Sequence, residues 1–197
     1  MNNIKKAIRQ INAGLSKVDK PTSTLSFISI DDTIPQQTLL INMGLMYGQA
    51  GESVIIVDAD FDNERLANVF KLASKIGLSD YLERGDITNS QIINEIAGKK
   101  MSVITPGKSA TSDADYLLDD PKFNTLMAEL QAKYDHVLIN TAPLSKVDSY
   151  SSLTQNTDGC ILVTTQGVTK KRALYQAYQN LREHSVKLLG YINVEKG

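Results

Sequence analysis

The sequence predicts an α/β fold: a doubly wound, mostly parallel sheet flanked by helices, in a single domain. Two observations carry this. Short apolar runs alternate with stretches of helical periodicity along almost the whole chain, the pattern of a sheet built from βαβ units. Most of those runs are continuous rather than alternating, as expected of strands buried on both faces. The bulk properties agree with a globular domain. Of 197 residues, 42% are hydrophobic and 22% charged, with 12 glycines and 5 prolines, well away from disordered or fibrous composition.

The elements follow in order. Residues 1–20 read as a polar amphipathic helix with Ile4, Ile8, Ile11 and Leu15 on one face, packed on the domain formed by residues 21–197 or docking from it. Strands are predicted at 25–30, 54–58, 101–105, 136–140, 159–165 and 187–193. Helical patterns fill 36–49, 64–97, 121–133 and 169–184. The 36–49 helix places Leu39, Leu40, Met43, Met46 and Tyr47 on one face, and Gly51 stops it.

Charge and cysteine content exclude several function classes. Lys and Arg number 21 against 22 Asp and Glu, a net charge of −1, which gives no general attraction to nucleic acid or to an anionic membrane. The single cysteine, Cys160, excludes a disulfide framework and a cysteine metal cluster. His136 sits in an apolar strand and His184 near a helix end, and both read as structural. No apolar run reaches the roughly 18 residues of a membrane span. The Asn- and Lys-rich start lacks a signal peptide's apolar centre. The expected compartment is the cytoplasm.

In open parallel sheets the ligand lies beyond the carboxyl ends of the strands. The informative residues are therefore those at 29–38 after the first strand, 57–60 after the second, Asn140, Thr141 and Pro143 after the fourth, and Asn193 at the end of the sixth. Within 29–38, Thr33 and Gln36 stand at the spacing of a capping box, and Pro35 suits a helix's first turn. A helix start that caps itself is one reading of this segment.

The order and spacing of these segments resemble the cytoplasmic kinase domain of the bacterial tyrosine kinases that govern capsule and exopolysaccharide synthesis. Supporting matches are the Phe70-Lys-Leu run followed by Gly77-Leu-Ser-Asp-Tyr-Leu, the Thr105-Pro-Gly-Lys segment, and the Tyr134-Asp-x-Val-Leu-Ile strand. The resemblance runs from about residue 4 to residue 193. It implies a P-loop NTPase-like fold, shared with chromosome-partitioning and division-site ATPases.

Laid over this chain, the family's phosphate-binding loop loses its chemistry. Such a loop offers glycines whose N–H groups wrap the phosphates, a lysine on the β- and γ-phosphates, and a hydroxyl on Mg²⁺. The two glycines fall on Thr33 and Pro35, the lysine on Gln36 and the magnesium-binding hydroxyl on Gln37, while Thr38 matches a second hydroxyl position. Asp31 and Asp32 add negative charge where phosphate would sit. Asp58 and Asp60 match the family's catalytic and magnesium-holding Asp-x-Asp, but its basic residue two places on falls on Asp62. The other magnesium-site position falls on Asn140, isosteric with Asp but neutral. Asn193 falls where relatives recognise adenine. The family's N-terminal assembly motif would occupy Lys6, Arg9 and Asn12, of which only Arg9 matches, and no tyrosine-rich tail follows Tyr191.

These positions lead to the expectation of a catalytically impaired kinase relative that binds no cofactor. It would be a regulatory or scaffolding subunit of polysaccharide synthesis. Its partner would be a protein, either the cytoplasmic tail of a membrane adaptor or an active kinase. A homo-oligomer is also admitted, nucleic acid is not, and the membrane would be reached only through the partner. The alternative is an ATP- and Mg-dependent protein-tyrosine kinase with an unconventional loop, its metal held by Asp58 and Asp60, with Asn140 at a weaker magnesium-site position. A weaker alternative is a relative of the partitioning or division ATPases.

Overall fold

The computed structural model describes residues 2–15, 23–30, 32–72, 76–108, 114–146 and 156–194. Its centre is a seven-stranded sheet. The strands are β1 (Thr24–Ser29), β2 (Val54–Ala59), β3 (Ile93–Glu95), β4 (Met101–Ile104), β5 (His136–Thr141), β6 (Gly159–Thr165) and β7 (Leu188–Val194), in the spatial order β3-β4-β2-β5-β1-β6-β7. All neighbours are parallel except β3 and β4. The six expected strands all form, within a residue at each end, and the doubly wound α/β reading holds.

Side chains alternate across the sheet, as strand geometry requires. Val54, Ile56 and Leu138 join one core with α1 (Asn2–Leu15) and α2 (Thr33–Gln49). Ile55, Val57 and Ile139 face the other side, where α7 (Pro121–Lys133) contributes Phe123, Leu126, Met127 and Leu130. Further along that face, α8 (Lys171–Glu183) buries Ala177 and Leu181 against Ile28, Cys160 and Leu162.

In α1, Ile8 and Ile11 are buried and Leu15 packs beside them; the side chain of Ile4 lies outside the described ones. Tyr47 of α2 donates a 2.6 Å hydrogen bond to Asn12 of α1. The Tyr47 ring also stacks on His136 at 3.9 Å, and His136 Nε2 lies 3.1 Å from Glu52. His136 thus serves packing, as expected. Among the described residues no helix is long and apolar enough to cross a membrane.

One stretch departs from the sequence reading. Residues 64–97 do not form continuous helix but break into α3 (Arg65–Phe70), α4 (Leu78–Glu83), α5 (Asn89–Ile92) and the edge strand β3. Lys71 adopts a left-handed conformation at φ 52° and ends α3. The start of α4 is pinned to the segment after β4 instead of continuing α3. Leu78 N–H donates to Thr105 O and Ser79 N–H to Pro106 O, both at 2.8 Å. Asp80 accepts from the N–H groups of Gly77 and Lys108. Ala114–Leu118 forms the short α6.

Candidate functional site

The strand order reverses direction between β5 and β1, since β1 leads to β2 on one side and β5 to β6 on the other. A crevice forms where such connections part, and the first turn of α2 lies in it. Helix α2 starts three residues earlier than the sequence suggested because Asp32 caps it. The Asp32 backbone is extended, and its carboxylate accepts the Ile34 N–H at 2.9 Å. The capping box expected of Thr33 and Gln36 is therefore corrected: Thr33 is already helical, and Gln36 turns its amide to the sheet. Pro35 falls in the first turn, where its missing N–H costs no helical hydrogen bond.

Gln36 is fully buried and its Nε2 makes two hydrogen bonds, 2.7 Å to Asn140 Oδ1 and 2.9 Å to the Thr141 carbonyl. The register of β2 against β5 sets Asp58 beside Asn140, and Asn140 Nδ2 donates to Asp58 Oδ1 at 2.8 Å. The amide orientations follow from chemistry. A carbonyl only accepts, so Gln36 must present its NH₂ group to Thr141; Asn140 then turns oxygen to Gln36 and nitrogen to Asp58. Three segments are joined by one chain of neutral amides ending on a carboxyl. Around it, Asp58 Oδ2, Gln36 Oε1 and both amide atoms of Gln37 are buried without a hydrogen-bond partner among the described residues.

Asp58 is fully buried, and burial pushes its carboxyl well above the usual range, against the lowering effect of the Asn140 and Asp60 N–H bonds. Asp60 is 2% exposed. Burial raises it too, Asp62 adds to the rise, and the Thr33 hydroxyl, the Lys146 charge and Asn63 oppose it. Thr33 also accepts from Asn63 Nδ2 at 3.2 Å. The cation missing from the loop after β2 is supplied by another segment: Lys146, beyond β5, lies 2.7 Å from Asp62. Sequence reasoning missed Lys146 and Asn63, although both lie after the carboxyl ends of strands, where ligands of open parallel sheets bind.

Other expected positions do not join this chain. Thr38 returns its hydroxyl to the Ile34 carbonyl at 2.8 Å within α2. Asn193, exposed near the end of β7, accepts from Thr164 at 3.2 Å and is separated from β1 by β6. Asp31 lies outside the described residues. Chemically, the assembled group can hold a proton on a buried carboxyl and fix amide orientations. It presents no cation of its own at residue 36.

The architecture with this helix start defines a P-loop NTPase-like fold. Solved kinase domains share this form. The kinase domain of the Escherichia coli tyrosine kinase ETK superposes with a TM-score of 0.86 at 21% identity, covering 97% of this chain and 76% of that one. The septum site-determining protein MinD from Pyrococcus horikoshii, complexed with Mg-ADP, reaches 0.68 at 21% identity over 86% and 69%.

By sequence, the chain's relatives are the bacterial tyrosine kinases. Tyrosine-protein kinase CpsD of Streptococcus pneumoniae serotype 4 is 29% identical over 194 residues, 96% of this chain and 84% of that protein. Tyrosine-protein kinase YwqD of Bacillus subtilis is 27% identical over 181 residues, 92% and 76% respectively. No protein-family model matches the chain.

Proposed function

We propose that this chain is a catalytically impaired relative of the bacterial protein-tyrosine kinases. It acts as a regulatory or scaffolding subunit in capsule or exopolysaccharide synthesis, through a protein partner such as a membrane adaptor's tail or an active kinase. The observation that carries the proposal is the buried chain Gln36–Asn140–Asp58. At the two positions where the resemblance calls for a lysine and an aspartate, neutral amides are bonded to each other. Exchanging both at once removes opposite charges together, so neither is left buried and unpaired.

In this reading the residues present do not fit a magnesium-nucleotide. The Ile34 N–H, a donor that an anion at the helix start would use, is taken by Asp32. Pro35 has no N–H to offer. Both protons of the Gln36 amide are committed to Asn140 and Thr141. The Asp32 carboxylate about 4 Å from a phosphate charge would cost roughly 1 kcal/mol in water and roughly 4 kcal/mol at an intermediate dielectric.

A second reading keeps the enzyme, a protein-tyrosine kinase with an unconventional loop. It is favoured by the names of the relatives and by the retention of Asp58 and Asp60 at the end of β2, beside the start of α2. Incubation with radiolabelled ATP and magnesium, with and without an adaptor tail, separates the two. The first reading expects no phosphotyrosine. Label that appears and is abolished by Asp58→Ala would overturn it in favour of the second.

A further inference from the structure

The near-zero net charge conceals a segregation. Residues 1–20 hold five of the 21 cations and one of the 22 acids, a net of +4 that leaves −5 on the rest of the chain. Helix α1 itself has no acidic residue. Its Ile8 and Ile11 face is used up in the core, while Lys5, Lys6 and Arg9 are exposed. Lys5 and Arg9 stand four residues apart, and Lys6 is adjacent, so the three cations share the outward side. None of the ion pairs among the described residues involves them.

We propose that the outward face of α1 is an adsorption surface for anionic lipid, so that the protein touches the membrane directly and not only through a partner. Charge complementarity selects an anionic occupant, and the makeup of the face selects lipid over protein. Protein interfaces draw their affinity from aromatic and large apolar anchors seated in pockets. Beside the three cations, the exposed described side chains of α1 are those of Gln10 and Ala13. With its apolar face already buried, α1 does not insert. The contact is a shallow electrostatic one, in which each cation close to an anionic leaflet is worth about a five-fold gain in partitioning. Three give on the order of a hundredfold, enough to hold the protein near a membrane on which a second contact acts. The proposal is independent of whether the chain binds nucleotide.

Flotation with vesicles tests it, using mixed phosphatidylglycerol–phosphatidylcholine vesicles, pure phosphatidylcholine vesicles, and soluble polyglutamate as competitor. The expected result is binding to the mixed vesicles alone, lost at high salt as screening shortens the reach of the charges. Binding should fall by about a hundredfold in the Lys5→Ala/Lys6→Ala/Arg9→Ala variant, with an unchanged circular dichroism spectrum. A charge-reversed variant, Lys5→Glu/Lys6→Glu, should not bind at all. Failure to float with the mixed vesicles, equal binding to both vesicle types, or binding that survives the substitutions overturns the proposal. So does polyglutamate binding tighter than the vesicles, which would assign the face to an acidic protein.

Discussion

Gln36 decides the character of this molecule at the scale of single residues. A glutamine in the first turn of a helix would ordinarily face water or return to the helix's own donors, yet this one is buried and bridges to Asn140 and Thr141. The identities at 36 and 140 were legible in the sequence, but their pairing was not. It depends on a register that puts Asp58 beside Asn140, and on Asp32 taking the cap that Thr33 was expected to hold. Lys146 was invisible for a similar reason, because only the folded chain brings the loop after β5 to Asp62.

The chain of amides ends on a carboxyl that burial holds well above its ordinary value of 3.8. The folded protein therefore binds this proton more tightly than the unfolded chain does. Its contribution to stability is full below the unfolded value and is lost as pH rises toward the folded one. Asp58→Asn cannot ionise. It should melt at a higher temperature than the parent protein at neutral pH, and the difference should close in mild acid. Thermal unfolding followed across that range checks this, and a gap independent of pH would contradict it.

At the scale of elements, the sequence served best where a helix or strand buries a full face. The strands of the central sheet and helices 121–133 and 169–184 were read closely, since each presents a sustained apolar period. Residues 64–97 were not, because three pieces of four to six residues, α3 to α5, carry too few turns to show where one period ends and another begins. The breaks are set by contacts with a distant segment, the residues after β4. Gly77 is where this matters most. A Cβ there would fall inside the van der Waals limit of the Gly107 nitrogen and the Thr105 carbonyl oxygen, both backbone. Gly77→Ala should cost about 1–3 kcal/mol in urea unfolding. Gly85→Ala, whose Cβ would meet nothing within 4 Å, should leave stability nearly unchanged.

At the scale of the whole molecule, alternating strands and helices pointed to the fold class, and the balanced composition concealed where the charges lie. The acids gather in the loops at the carboxyl ends of β1 and β2, with Asp32, Asp58, Asp60 and Asp62 close to the start of α2. Residues 1–20 carry a net charge of +4 against −5 on the rest of the chain. The scaffold is P-loop NTPase-like, and in the proposed function the place of an anionic ligand is filled by the protein's own polar groups. Tyrosine-protein kinase CpsD of Streptococcus pneumoniae is similar to this chain over 96% of the chain's length, and the proposed function rests on residues 35, 36 and 140, which differ from the pattern that the resemblance implies. Titration calorimetry of the intact protein with Mg-ATP tests that separation most directly. The account predicts no heat of binding at affinities tighter than the millimolar range, and a micromolar dissociation constant would contradict it.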